Sequence, residues 1–124
     1  MARIFGWFNN TKTLLSCLDK IRNRGMVSLL LRESNDSVVV VGPIVHNFST
    51  YPFLDLPHHI RLLGLARPWA EKYARVIAKG GIVVCVDMEE SNDYDKLRSY
   101  PFHDLKLVPT PGQIKPTALA VSNR

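Results

Sequence analysis

The stretch "AKGGIVVCVDMEE", residues 78–90, decides how this chain is built. A lysine and two glycines precede five apolar residues, and acidic residues close the run. A phosphate-cradling loop would need Gly-x-x-x-x-Gly-Lys-Ser/Thr opening a helix, so that free backbone N–H groups wrap the anion. Here the glycines precede a strand. They sit where a helix would end, and the C-terminal end of a helix carries partial negative charge. Gly80 and Gly81 therefore read as a helix stop, and Ile82–Val86 as a core strand. Cys85 lies among valines and reads as a small buried hydrophobe rather than a nucleophile, which would need a histidine beside it and partial exposure.

Upstream, the segment from Pro68 is the clearest amphipathic helix in the chain. Proline suits the first turn, where its missing N–H leaves no bond unmade. At about 100° per residue, Trp69, Ala70, Tyr73, Ala74, Val76 and Ile77 share one side. Glu71, Lys72, Arg75 and Lys79 occupy the other, with Glu71 and Arg75 spaced as an i,i+4 pair.

The first half repeats this grammar. "RIFGWF" (3–8) reads as an apolar, aromatic strand. Asn9 and Asn10 offer helix-capping side chains. Leu14, Cys17, Leu18 and Ile21 recur at i, i+3, i+4, i+7, which marks one helix face, and Gly25 suits the stop. "VSLLLRE" (27–33) and "VVVVG" (38–42) form a hairpin across a short polar turn. Four consecutive valines indicate burial on both faces or nearly so.

The order through residue 88 is β-α-β-β-α-β, which predicts a ferredoxin-like α+β domain with an antiparallel sheet and two helices on one face. The other sheet face is then open and needs a cover. Pro43, Pro52 and Pro57 make 43–67 an irregular insertion, with enough apolar residues to pack as a flap or short helix. "NDYDKLRSY" (92–100) reads as a short third helix and "DLKLV" (104–108) as a last strand. Residues 1–108 form one domain, and the proline-rich 109–124 an irregular tail.

Sixteen Lys and Arg against eleven Asp and Glu give +5. That excess permits an anionic partner without demanding one. Two cysteines without a Cys-x-x-Cys pattern read as reduced core thiols, which suits the cytoplasm. The opening ten residues are too short for a signal-peptide core or a membrane span. His58 and His59 are adjacent, so their rings diverge, and His103-Asp104 reads as a surface pair; neither suggests zinc. Asp87, Glu89, Glu90, Asp93 and Asp95 read as a solvated acidic patch. Phe5, Trp7 and Phe8 could stack bases, although aromatic residues in a first strand usually serve the core.

Two stretches, "RIFGWFNNTKTLLSCLDKIRNRG" and "LGLARPWAEKYARVIAKGGIVVCVD", resemble the bacterial general-stress or heat-induced stress protein family. Leu63, Gly64, Tyr73, Gly80, Gly81 and the strand Ile82–Val86 carry the second match. With "DYDKLRSY", which falls where the family has a variable last helix, the resemblance covers roughly half of the chain. The family's long glycine- and alanine-rich segment between the two halves is replaced here by prolines, aromatics and histidines. The family has no established catalytic residues, so the resemblance carries none over, and no cofactor is expected.

These readings lead to a non-enzymatic, stress-associated or regulatory binding domain that self-associates, as a dimer, through the basic helix face of Lys72, Arg75 and Lys79. The alternative is a small-molecule or nucleotide sensor holding its ligand near His58, His59, Arg61 and Arg67. Binding of single-stranded nucleic acid through Trp7 ranks third.

Overall fold

A computed structural model of the chain describes residues 2–23, 25–34, 37–42, 47–88 and 93–109. It is built on one six-stranded sheet. The strands are β1 (Ala2–Phe8), β2 (Met26–Arg32), β3 (Ser37–Gly42), β4 (Asn47–Pro52), β5 (Ile82–Met88) and β6 (His103–Pro109). The helices are α1 (Thr11–Arg22), α2 (Leu56–Leu62), α3 (Arg67–Ala78) and the short α4 (Asp93–Leu97). The strand order is β4-β3-β2-β5-β1-β6. Every neighbouring pair is antiparallel.

The mixed α/β class expected from the sequence holds. The β1–α1–β2 crossover is split, and β5 fills the gap between its two strands. The layer arrangement differs from the expectation of two helices on one face. Leu56 and Ile60 of α2 and Ala70, Tyr73 and Ile77 of α3 pack with Phe5, Leu30, Val38, Val40, Val83 and Cys85. Leu14, Cys17 and Ile21 of α1 and Leu97 of α4 pack with Ile4, Phe8, Val84, Val86 and Met88. Successive strand residues point to opposite faces, so these two sets lie on opposite sides of the sheet. The sheet is the middle of three layers. All seven residues of β5 are buried, as a strand covered on both faces requires. Among the described residues the expected open face survives over β2 and β3, where Val27, Leu29 and Leu31 are half-buried and Val41 is exposed, and at Leu107 of β6.

The insertion is more regular than expected. Residues 47–52 form an edge strand, and 56–62 a helix. Pro52 ends the edge strand, where a missing N–H breaks no interior ladder, so proline there does not argue against a strand. Residues 110–124, most of the expected irregular tail, lie outside the described residues.

The local devices follow the sequence. Asn10 caps α1, its side chain accepting from the Thr13 N–H at 2.8 Å. At the end of α3, Gly81 N–H donates to Val76 O at 2.9 Å and Gly80 N–H to Ile77 O at 3.0 Å. That pair of bonds is the Schellman motif, and Gly80 adopts φ +92° to make it. The expected Glu71–Arg75 pair gives way to one with Arg67, whose Nε lies 2.9 Å from Glu71 Oε2, also at i,i+4.

Candidate functional site

β1 places Trp7 on the α3 side of the sheet, near its edge. The indole is half-buried and fixed from several directions. Its Nε1–H donates to Asp104 Oδ2 at 2.7 Å. Its ring lies 4.5 Å, centre to centre, from the His103 ring. His103 Nε2 in turn accepts from the Asn9 amide at 3.1 Å.

Asp104 comes from an irregularity in β6. The register moves from Phe5↔Lys106 to Trp7↔His103, so β6 carries extra chain opposite Gly6. Such a bulge bends a strand and re-aims its side chains. Asp104 takes φ +52°, a left-handed conformation that Asp tolerates better than most residues. Its carboxylate accepts from Lys72 Nζ at 3.0 Å as well as from Trp7. Its main-chain carbonyl accepts from the Tyr73 hydroxyl. The Trp7 hydrogen bond, then that of Lys72, holds the Asp104 carboxyl below the usual carboxylate range.

The result is a groove of about 450 Å³ lined by Trp7, Asn9, Lys72, Arg75, Val76, Lys79 and Gly81. Three cations from one side of α3 face the fixed indole across it. Arg75 and Lys79 are exposed, and neither has a hydrogen bond or ion pair among the described residues. A cation beside a planar aromatic face suits a ligand with both negative charge and a flat ring.

A second groove, of about 480 Å³, lies on the other side of the Gly80 turn, lined by Thr11, Leu31, Arg32, Glu33, Ser34, Gly80 and Ile82. Its cation is committed to the fold, since Arg32 Nη1 donates to Ala78 O at 2.8 Å and Nε to Ser34 O at 3.1 Å.

The residues expected to hold a ligand are not gathered around either groove. His58, His59 and Arg61 lie on α2, and Arg67 opens α3 with its guanidinium on Glu71. The His58 and His59 rings sit 5.7 Å apart with planes at 65°, diverging as adjacent helical residues must. Burial pushes the His59 imidazole below its ordinary pKa, which disfavours a charged ring for binding anions. Lys72, Arg75 and Lys79, expected at an interface between copies, line the groove beside Trp7.

Further residues are reassigned. Phe5 and Phe8 are fully buried, so Trp7 alone of the three first-strand aromatics reaches a surface. Asp87 does not join an acidic patch, because Arg3 binds it through two bonds of 2.6 and 3.0 Å in the sheet. Glu89 and Glu90 lie outside the described residues. Among the described residues, no group of three His, Cys, Asp or Glu is placed to hold a metal ion. No described helix is long and apolar enough to cross a membrane. Cys17 and Cys85 are free and buried, as expected.

No protein-family model, curated protein or solved structure matches the chain. The groove's chemistry therefore carries the functional reading.

Proposed function

We propose that this chain is a non-enzymatic binding module whose groove at Trp7, Asn9, Lys72, Arg75 and Lys79 takes a nucleotide. The observation that supports this is the indole held by Asp104 and His103 opposite three cations. Arg75 and Lys79 would meet the phosphates, and Trp7 the base. The indole is already held by Asp104 and His103, so it loses little freedom on binding, which favours affinity. A stress-associated or regulatory setting in the cytoplasm, implied by the family resemblance, is compatible with such a module.

This reading moves the ligand from the histidine-bearing α2 to the β1–α3 edge. Self-association keeps a narrower motive, since helices pack on both sides of β1 and β5 and an open sheet face remains over β2 and β3.

Tryptophan emission tests the proposal. In a Trp69→Phe background, Trp7 is the sole tryptophan. Titration with ATP should quench it saturably, and the Arg75→Ala, Lys79→Ala double variant should weaken the apparent affinity about tenfold or more, one to two charge-assisted contacts being lost. Emission that stays flat, or falls without saturation and equally in the double variant, rules the proposal out.

A further inference from the structure

The cationic side of α3 does not end at the groove. Lys72, Arg75 and Lys79 share the cationic side, and Trp69, at its border with the apolar side and one turn before Lys72, extends the stripe. At 1.5 Å per residue the stripe runs about 15 Å along the helix. Lys72 links its two ends, since it lines the Trp7 groove and its Nζ also lies 5.0 Å from the centre of the Trp69 ring. Beyond Trp69, Lys106 of β6 places its Nζ 5.1 Å from the same ring. Four cations and both tryptophans of the chain thus lie along one edge. The acids nearby are engaged: Asp104 by Trp7 and Lys72, Glu71 by Arg67.

We infer that the natural occupant of this edge is a single-stranded nucleic acid, running from Lys79 past Trp7 and Trp69 to Lys106. The inference rests on the nucleotide reading of the groove and extends it. A mononucleotide uses one base and one cluster of charge, which the Trp7 end supplies by itself. The remainder of the stripe repeats the same pairing of ring and cation. Single strands are held by such a repeat, a positive track for the backbone with aromatic faces for the bases. An acidic protein would use the cations and leave the indoles idle. A duplex keeps its base faces stacked inside and would do the same.

Fluorescence anisotropy with labelled oligo(dT) and oligo(U) of about 12 nucleotides tests this, beside a duplex of equal length and unlabelled ATP as competitor. The single strands should bind about tenfold or more tightly than ATP. Their affinity should fall with salt at a log–log slope of about −2 to −3, as three to four neutralised phosphates predict. Lys106→Gln should weaken the single strands several-fold and leave ATP binding unchanged, because Lys106 lies outside the groove. Single strands no tighter than ATP, a duplex that binds as well as they do, or a Lys106→Gln variant without effect each overturn the extended track. If ATP binds and the strands gain nothing, the extension alone falls. If neither binds, the nucleotide reading falls with it. Single strands that bind where ATP does not uphold the track for the polymer and overturn the mononucleotide reading of the groove.

Discussion

Trp7 and Asp104 lie 97 positions apart in sequence, and the indole N–H of one donates to the carboxylate of the other at 2.7 Å. That bond ties the first strand to the last and sets the orientation of the groove's aromatic wall. Asp104 also accepts from Lys72 and, through its carbonyl, from Tyr73. Asp104→Ala should therefore cost about 1–3 kcal/mol, since it removes charge-assisted bonds and leaves a half-buried indole N–H without its acceptor. Asp104→Asn keeps an acceptor and tolerates the left-handed backbone, so it should recover much of the loss. Urea unfolding gives the energies. Red-shifted Trp7 emission in the alanine variant would report the released ring, and two variants with wild-type spectra would refute this account.

The same carboxylate makes a statement about pH. Its folded-state pKa is depressed by Trp7 and Lys72. Such a group contributes stability that is present above its unfolded pKa, about 3.9 for Asp, and is lost as pH falls through the lower folded value. Wild type should thus lose stability below about pH 4 more steeply than Asp104→Asn, which has no proton to gain there. Thermal melts between neutral pH and about pH 3 check the slope; parallel curves for the two proteins would contradict it.

Much of the fold was legible because it is written in local patterns. The unbroken run "IVVCVDM" announced a core strand, and periodicity marked α1 and α3. Asn10 and Gly80-Gly81 announced their own roles by chemistry. What the local pattern lacked was the side of the sheet each helix would take, because both arrangements bury the same apolar stripes. The four valines of 38–41, read as buried on both faces or nearly so, already pointed to cover on two faces, and that inference conflicts with an open sheet. The edge strand β4 was hidden by Pro52, which matters less at an edge than inside a sheet. The site was half legible. Lys72, Arg75 and Lys79 stood out as one helix face, and Trp7 as a stacking candidate. Their meeting depends on Asp104 in a bulge of β6, and no spacing in the sequence signals a contact across that distance.

The two glycines after α3 should respond differently to substitution. Gly80 has a positive φ and open space where a Cβ would go, so Gly80→Ala should cost about 1 kcal/mol from backbone strain alone. At Gly81 a Cβ would come within 2.5 Å of Val76 Cγ1 and 3.3 Å of Trp7 Cε3. Valine has little rotamer freedom in a helix, so the chain must move. Gly81→Ala should cost more than Gly80→Ala and shift Trp7 emission, while Gly80→Ala leaves that emission unchanged. Equal spectral effects in both variants would show that the wall of the groove does not lean on Gly81.

Arg3 and Asp87 form the sheet's internal ion pair, facing each other across β1 and β5, and Arg3 Nη1 also donates to Leu63 O at 2.7 Å. The pair thereby anchors the chain just beyond α2 to the sheet. Both side chains are nearly buried, at 13% and 8% exposure, so removing one strands the charge of the other. Asp87→Ala should destabilise the fold by about 3 kcal/mol or more. Replacing both, as Arg3→Met with Asp87→Leu, removes the stranded charge and should restore most of that loss, less the bond to Leu63. Chemical denaturation of Arg3→Met, of Asp87→Leu and of the double variant completes the cycle. If the double variant falls by the sum of the singles, the two residues are not coupled.

Cys85 provides a test of the middle layer itself. It is fully buried in β5, and burial pushes its thiol well above the ordinary range. Cys17 is also raised by burial and sits under α1 with its thiol directed to the Thr13 and Leu14 carbonyls. The thiolate is the form that reacts, so both cysteines should resist iodoacetamide at neutral pH in the folded protein. In urea both should label completely. The two sit on opposite faces of the sheet, Cys85 toward α3 and Cys17 beneath α1. Labelling followed by mass spectrometry across a urea gradient therefore reads each face separately. Coincident exposure would mark one cooperative three-layer unit. Rapid native labelling of Cys85 would contradict a sheet covered on its α3 side.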